Sequence, residues 1–315
     1  QPGHSGERLA AALASLCPSG LFKADVNALG AFHAAVHGAA PGGGGCPVAV
    51  VLDYDLTMSN PHGLECHSIL AKSPALPEAF REDCAHLQTV FKDPTHPEHM
   101  STVGPADAPG RPHRYWILFN CFLVRHRVTA AMIENAVSAE RAKFGPLLRP
   151  GLSDFFRLCT ELDVPVVVLS AGFSQVIEAA LAIEQVELPK SSRVLANTLV
   201  FNEDGHCVDV TPSDPPASRH GKLLRLTALH DLAERPCVVL VGDKPVDAAM
   251  ASGYPRLPNG AEPVTLKFGF LNEDKPGDEE LAEYREAFDI LPRNGGSCGF
   301  ASLAGLLQEV FRANG

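Results

Sequence analysis

The sequence predicts an α/β fold, because three apolar runs along the chain each end in polar residues and alternate with segments of helical periodicity. These runs are PVAVVL at residues 47–52, VPVVVL at residues 164–169 and PCVVLV at residues 236–241. Continuous apolar runs of this length are typical of parallel strands covered on both faces. A chain of 315 residues can bury one such domain and still hold an inserted segment. We therefore expect a Rossmann-like parallel sheet flanked by helices, with a helical cap inserted after the first motif.

The composition divides the chain into three parts. Residues 1–46 predict an N-terminal segment of one or two short helices that ends in a flexible glycine-rich hinge at residues 38–46. The α/β core is expected over residues 47–60 and 150–315, and the cap over residues 61–149.

Two aspartates, Asp53 and Asp55, directly follow the first run. Ligands of α/β proteins bind at the carboxyl edge of the sheet, and side chains alternate along extended chain, so both carboxylates are expected on one side. Converging carboxylates need a hard cation. A pair of acids that caps a helix is an alternative. A calcium loop is excluded, because Met58 occupies the position of the required glycine and Glu65 lies one place too late.

The second and third runs end in groups of complementary chemistry. Ser170, Ala171 and Gly172 follow the second run where helical periodicity begins, and free N–H groups at a helix start can bind an anion. A helix-capping serine is the alternative at that position. The third run ends at Asp243, and Asp247 is expected in the first turn of the next helix. Together, the three strand ends predict one site for a metal ion and a phosphate group.

The segment between the first two motifs predicts the helical cap. Helical periodicity extends over residues 76–91 and 116–144, which are joined by a Pro/Gly-rich stretch at residues 101–112. A cap over a phosphate site excludes water and selects the leaving group.

Three aromatic residues lie at the start of the second of these cap segments. Tyr115, Trp116 and Phe119 could stack on a nucleobase, because an aromatic face tolerates any base. Burial in the hydrophobic core of the cap is the alternative for all three.

These motifs resemble those of the haloacid dehalogenase-like phosphatases. The likeness lies in DYDLT at residues 53–57, LSAG at residues 169–172 and GDKPVD at residues 242–247. Within that superfamily the chain resembles the pyrimidine 5'-nucleotidase branch, also called cytosolic 5'-nucleotidase III. That second likeness is carried by CHSIL at residues 66–70, NTLVFNEDG at 197–205, FGFLNE at 268–273 and a helix expected at 279–288.

The resemblance implies Mg²⁺-dependent hydrolysis of nucleoside 5'-monophosphates to nucleoside and phosphate. It implies that Asp53 attacks phosphorus and forms an aspartyl-phosphate, while Asp55 acts first as general acid and then as general base. Mg²⁺ would be held by the Asp53 side chain, the Asp55 backbone carbonyl and Asp243, and Asp247 would orient a metal-bound water. Ser170 and the N–H groups after it would bind the phosphoryl oxygens.

Two positions depart from the pattern of that branch. The phosphate-binding lysine of that branch has no clear counterpart here. Arg219 lies nearest the expected sequence distance from Asp243. Lys222, which we favour, keeps the residue type but is shifted by about one helical turn from the expected position. Tyr115 stands where a glutamate is expected, so a purine or methylated base is an alternative to a pyrimidine. A phosphatase of another small phosphomonoester and a catalytically weakened phosphometabolite-binding protein also stay open.

Whole-chain properties favour a cytoplasmic enzyme that acts on small molecules. The 26 basic and 37 acidic residues give a net charge of −11, which argues against a nucleic-acid polymer as partner. Nine scattered cysteines without C-x-x-C spacing predict reduced thiols. Residues 1–16 lack the features of a signal peptide, and no apolar run is long enough to predict a membrane span.

Overall fold

The computed structural model describes residues 2–17, 19–39, 46–99, 114–211, 232, 235–273, 275–293 and 299–312. Its helices are α1 (Pro2–Leu16), α2 (Val26–Gly38), α3 (Cys66–Lys72), α4 (Glu78–Lys92), α5 (Arg114–Arg125), α6 (Ala130–Phe144), α7 (Leu152–Glu161), α8 (Ser174–Ile183), a 3₁₀ helix (Pro245–Gly253), α9 (Asp278–Ala287) and α10 (Ala301–Phe311). Its strands are β1 (Leu21–Ala24), β2 (Val48–Leu52), β3 (Val166–Phe173), β4 (Arg193–Phe201), β5 (Cys207–Thr211), β6 (Cys237–Gly242), β7 (Val264–Gly269) and β8 (Ile290–Pro292).

The strands form a sheet in the order β1-β8-β7-β6-β2-β3-β4-β5. The pairs from β8 to β4 are parallel, whereas the edge pairs β1–β8 and β4–β5 are antiparallel. In the centre, Val50 of β2 pairs with Val166 of β3 and Val239 of β6. The α/β fold with a largely parallel sheet is therefore confirmed. Because β6, β2 and β3 run in one direction, their carboxyl ends meet at the same edge.

The central strand is buried on both faces, as its apolar sequence predicts. Val48, Val50 and Leu52 pack into the larger hydrophobic cluster, whereas Ala49 and Val51 pack into a second cluster on the other face. Side chains alternate along a strand, so a strand with two covered faces needs an apolar residue at every position. This packing fixes the position of the residues that follow Leu52.

The N-terminal part contains a strand that the sequence analysis missed. β1 pairs with β8, with Leu21 opposite Pro292 and Ala24 opposite Ile290. Each of its four residues is only partly buried, so its sequence carries neither alternation nor a continuous apolar run. The helices on either side of it agree with the expected helical segment. Residues 40–45 of the glycine-rich run lie outside the described residues.

The cap segment differs in one respect from the predicted helix over residues 116–144. It forms two helices, α5 and α6, because Arg127 adopts a left-handed φ of 52° and interrupts the helical path. The Thr129 side chain then accepts a hydrogen bond from the Met132 N–H and caps α6. The helix predicted over residues 76–91 is found as α4.

The chain leaves the core and returns to it through two adjacent segments. Ser59 and Leu148 form an antiparallel bridge. The Asn60 N–H donates to the Leu147 carbonyl at 2.8 Å, and the Arg149 N–H donates to the Met58 carbonyl at 2.8 Å. We propose this pair of crossings as the boundary between core and cap. None of the helices described here has the length and apolar character that crossing a bilayer requires.

Candidate active site

Three buried carboxylates converge where β2 and β6 end. Asp53 directly follows β2, Asp243 directly follows β6, and Asp247 lies in the 3₁₀ helix after β6. One carboxylate oxygen from each lies within 4.8 Å of the others, and the residues are 6%, 4% and 2% exposed, respectively. Buried carboxylates this close repel one another, so the arrangement favours a bound cation. We call these three residues the carboxylate cluster.

Two contacts hold Asp247 against the end of β6. The Lys244 backbone N–H donates to Asp247 Oδ2 at 3.0 Å. At Gly242, an added Cβ would lie only 2.4 Å from the Asp247 Cβ, so glycine is what lets the carboxylate approach the strand. The GDKPVD segment thus folds so that both of its aspartates face the same place.

Asp243 is positioned by residues from three distant parts of the chain. Thr57 Oγ1 donates to Asp243 Oδ1 at 3.2 Å. Asn272 Nδ2 lies 3.5 Å from Asp243 Oδ2, and the Tyr284 hydroxyl donates to the Asp243 backbone carbonyl at 2.6 Å. These contacts fix both the main chain and the side chain at the end of β6.

The Asp55 carboxylate is not one of the three in the carboxylate cluster. Asp55 lies in a single π-type turn, Tyr54–Met58, which we call the Asp turn. The Cys66 N–H donates to Asp55 Oδ1 at 2.8 Å. Burial raises the pKa of the Asp55 carboxyl above its ordinary value, although the hydrogen bond from Cys66 favours the ionised form. A carboxyl group with a raised pKa is better able to carry a proton near neutral pH.

The expected anion cradle differs from the sequence prediction in its secondary structure. Ser170, Ala171 and Gly172 lie within β3, which continues to Phe173, and α8 begins only at Ser174. The expectation that these residues begin a helix was therefore wrong. The pairing of β3 with β4 is irregular between Leu169 and Phe173, and this irregularity places all three residues outside the regular ladder.

Ser170 is fully buried, and its hydroxyl oxygen accepts a hydrogen bond from the Gly172 N–H at 2.9 Å. An added Cβ at Gly172 would lie 2.5 Å from Cys66 Sγ. Glycine is therefore needed where the start of α3 packs against β3. The amide of the same Cys66 contacts Asp55, so this residue connects the Asp turn with the second motif.

A charged network lies beside the carboxylate cluster. Lys244 Nζ donates to Glu65 Oε1 at 3.1 Å, and His67 Nε2 lies 3.7 Å from Glu65 Oε2. Burial lowers the pKa of the Lys244 ammonium, but Asp243, Glu65 and Asp53 outweigh this effect, and the pKa is raised overall. Lys244 therefore stays positively charged near the cluster.

The three aromatic cap residues lie in different surroundings. Tyr115 and Phe119 belong to the hydrophobic core, and their rings lie 5.0 Å from Phe91 and 6.0 Å from Phe173, respectively. Trp116 is only partly buried, and its ring meets the His67 ring edge-on at 4.9 Å. Of these three side chains, Trp116 is therefore the one best placed to contact a ligand.

The two candidates for the phosphate-binding cation, Arg219 and Lys222, lie outside the described residues. Their assignment stays a prediction.

The chain matches the family model of pyrimidine 5'-nucleotidase (UMPH-1) over residues 56–303. It belongs to this family. The family places the chain among haloacid dehalogenase-like enzymes that hydrolyse phosphoric monoesters. The matched segment begins just after Asp53 and Asp55 and includes Asp243 and Asp247.

Relatives and a solved structure agree with this family. The 7-methylguanosine phosphate-specific 5'-nucleotidase of Rattus norvegicus is 25% identical over 287 residues, which are 86% of this chain and 87% of that protein. A Caenorhabditis elegans protein whose name assigns it to cytosolic 5'-nucleotidase 3 is 24% identical to this chain over 264 residues. The match covers 79% of this chain and 66% of that protein. The crystal structure of cytosolic 5'-nucleotidase IIIB bound to cytidine superposes with a TM-score of 0.69 at 19% identity, covering 96% and 97% of the two chains.

Sequence reasoning missed several residues that build this candidate site. Arg149, Asn272 and Tyr284 reach it from far along the chain. Arg149 is 1% exposed and carries no local motif around it. The signal available for Asn272 was its place in the FGFLNE segment, which follows β7 at the same edge of the sheet.

Proposed function

We propose that the protein is a Mg²⁺-dependent 5'-nucleotidase that hydrolyses nucleoside 5'-monophosphates to nucleoside and phosphate through an aspartyl-phosphate. The observation that carries this proposal is the carboxylate cluster of Asp53, Asp243 and Asp247 at the carboxyl edge of the sheet. In a family of 5'-nucleotidases, such a cluster suits a reaction that brings a phosphate dianion next to an attacking carboxylate.

Asp53 is the nucleophile in this proposal. Its carboxylate oxygen attacks phosphorus, a new bond from that oxygen to phosphorus forms, and the bond from phosphorus to the nucleoside 5' oxygen breaks. The position of Asp53 directly after the fully buried β2 supports this role, because a rigid strand holds the attacking oxygen in place.

Asp55 moves the protons. It donates a proton to the departing 5' oxygen, and it then removes a proton from the water that attacks the phosphoaspartate. The second displacement releases phosphate and restores the Asp53 carboxylate. The raised pKa of the Asp55 carboxyl, which results from its burial, suits a group that must be protonated in the first step.

The donor set of the carboxylate cluster fits Mg²⁺, because this ion prefers oxygen ligands and commonly binds through one or two carboxylates together with phosphate oxygens. Asp53 and Asp243 would hold the ion together with the Asp55 backbone carbonyl, and Asp247 would orient a water ligand. When bound, Mg²⁺ offsets the repulsion between a phosphate dianion and the acids.

Ser170, Ala171 and Gly172 would bind the phosphoryl group. Since Ser170 Oγ already accepts a hydrogen bond from the Gly172 N–H, the hydroxyl proton is available for a phosphoryl oxygen. Lys222 or Arg219 would supply the positive charge that this type of enzyme places beside the phosphate.

The base of the nucleotide would contact the cap at Trp116. Its partial exposure supports this role, as does its edge-on contact with His67, whereas Tyr115 and Phe119 serve the cap core. The similarity to a 7-methylguanosine phosphate-specific enzyme makes a methylated purine a substrate to include beside pyrimidines. We place the reaction in the cytoplasm, following relatives named as cytosolic enzymes.

A phosphate-release assay over a panel of nucleoside 5'-monophosphates tests this function. The panel contains CMP, UMP, AMP, GMP and 7-methyl-GMP, together with small phosphomonoesters that are not nucleotides, each with Mg²⁺ and with a chelator, and Asp53→Asn is the matched variant. We expect Mg²⁺-dependent release from at least one nucleotide and none above background from the variant. Release from small phosphomonoesters alone would favour a phosphatase of another substrate. Tight nucleotide binding without release would favour a catalytically weakened binding protein.

A further inference from the structure

Arg149 is an arginine buried inside the protein, on the segment by which the chain returns from the cap to the core. It is 1% exposed. Its backbone N–H donates to the Met58 carbonyl at 2.8 Å, so the returning segment lies alongside the end of the Asp turn. Removing a guanidinium from water costs free energy. A buried arginine therefore indicates that its hydrogen bonds have a structural or functional role.

The side chain of Arg149 is directed at the Asp turn. Nε donates to the Thr57 carbonyl at 2.7 Å, and Nη2 donates to the Leu56 carbonyl. The guanidinium carbon lies 4.1 Å from the centre of the Phe270 ring, which covers one face of the planar group. The carbonyls of Leu56 and Thr57 therefore both accept hydrogen bonds from the planar guanidinium of Arg149.

Asn272 completes the arrangement from the other side. Its Oδ1 accepts a hydrogen bond from Arg149 Nη2 at 2.7 Å, and its Nδ2 donates to the Leu56 carbonyl at 2.9 Å. The same Nδ2 lies 3.5 Å from Asp243 Oδ2. The pair thus connects the turn after β2 with the carboxylate after β6.

The backbone that these residues hold is strained. Leu56 adopts a φ of 57°, in the left-handed region that is unfavourable for a residue other than glycine. A strained turn keeps its shape only where its surroundings determine it. Here the carbonyl of the strained residue accepts hydrogen bonds from both Arg149 and Asn272.

We propose that Arg149 and Asn272 are positioning residues that clamp the Asp turn and so hold Asp53 and Asp55 in their reactive geometry. This inference rests on the proposed function, in which those two aspartates carry the chemistry. A lysine at position 149 would keep the charge but could not bind the Thr57 and Leu56 carbonyls with a planar fork. The clamp therefore predicts a loss of turnover even for the conservative variant.

The test compares Arg149→Lys and Asn272→Ala with Arg157→Lys. The control residue, Arg157, lies on α7, where its exposed side chain makes ion pairs with Asp154 and Glu161 of the same helix. For each full-length protein, kcat and KM are measured with Mg²⁺ and the best nucleotide substrate. Hydrogen exchange is measured by mass spectrometry on the peptide that covers residues 53–60.

We expect Arg149→Lys to lower kcat by about 10- to 100-fold, because a small displacement of reacting groups has effects of this size. Its KM should change by less than about threefold, since the clamp does not touch the substrate. Exchange should become faster within residues 53–60 and stay unchanged elsewhere. Asn272→Ala should change both readouts in the same direction, and Arg157→Lys should change neither.

Unchanged kcat together with unchanged exchange in residues 53–60 would overturn the clamp. Faster exchange throughout the chain would overturn it too, because it would indicate a general structural role. If Arg149→Lys does not fold, Asn272→Ala decides by the same criteria. If the wild-type protein releases no phosphate, the proposed function fails, while the exchange data still decide whether the clamp holds the turn.

Discussion

The carboxyl edge of the sheet and the aromatic face of the cap are built on different principles. At the sheet edge, polar groups are buried and their positions are fixed by hydrogen bonds from distant elements, such as Thr57 and Tyr284 on Asp243. In the cap, Tyr115 and Phe119 are held by packing in a hydrophobic core, and Trp116 alone of the three aromatic residues is left partly exposed. The first region depends on specific hydrogen-bond partners, whereas the second depends on packing around two buried rings and leaves a third ring partly exposed.

This difference indicates how the two tasks of such an enzyme are divided. The reaction depends on oxygen atoms whose positions are set by the strands and by Gly242. In our proposal, the choice of base depends on a surface to which Trp116 contributes its partly exposed ring. Substrate preference can therefore change within the family while the phosphoryl-transfer chemistry stays the same.

The largest effect is expected for Asp53→Asn at the sheet edge. The amide keeps the size of the carboxylate but is a poor nucleophile, so phosphate release should fall by at least about a thousandfold. Steady-state phosphate release with Mg²⁺ measures this effect, and circular dichroism checks the fold. Substantial release from a folded variant would mean that another residue attacks phosphorus.

A smaller effect is expected for Asp247→Asn, which changes a residue that orients a metal-bound water in our proposal. Losses of about 10- to 100-fold in metal affinity are usual for such residues. Calorimetric titration of Mg²⁺ into the variant and into Asp243→Asn should rank the losses, with Asp243→Asn the larger. The reverse ranking would make Asp247 a direct ligand and Asp243 the supporting residue.

Two cap variants test whether packing and recognition are separate there. Trp116→Ala should raise KM by about 5- to 100-fold, the range for removing one aromatic ring that stacks on a base, and should change stability little. Phe119→Leu should lower the thermal unfolding temperature and leave KM near the wild-type value, because its ring is fully buried. An unchanged KM for Trp116→Ala would exclude this ring from base recognition.

The smallest effect concerns His33, a buried titratable group outside both regions. Burial lowers the pKa of His33, and His37 and Arg8 lower it further. As the pH drops, the His33 side chain of the unfolded chain, with a pKa of about 6.5, takes up a proton at a higher pH than that of the folded protein does. His33 therefore makes the free energy of unfolding fall as the pH drops from about 7.5 to 5.5.

Replacement of His33 by Gln should make this fall shallower, which denaturant unfolding at the two pH values measures. His4→Gln, at an exposed position, is the control and should leave the slope unchanged. Equal slopes for the wild-type protein and His33→Gln would show that His33 does not contribute to the pH dependence.

The sequence predicted those parts of the fold and site that local patterns encode. Continuous apolar runs marked β2, β3 and β6, and the acids that follow β2 and β6 lie close together, because a parallel sheet brings its carboxyl ends together. The helix N-terminus at Ser170 was predicted wrongly, since the irregular end of β3 has no signature in a single sequence.

The parts that could not be predicted depend on contacts between distant residues. Arg149 is 92 positions from Thr57, and Asn272 is 216 positions from Leu56. Neither has a neighbouring residue pattern that indicates its partner. The strand β1 was missed for a related reason, because it depends on its pairing with β8 at the other end of the chain.

The most direct test of the account is to trap the phosphorylated enzyme. The protein is mixed with Mg²⁺ and a nucleoside monophosphate carrying ³²P, quenched in acid within milliseconds and digested for peptide mapping. We expect hydroxylamine-sensitive ³²P label on the peptide that contains Asp53, and no label on the Asp53→Asn variant. Phosphate release by the wild-type protein with label on another residue would contradict the central claim that Asp53 attacks phosphorus.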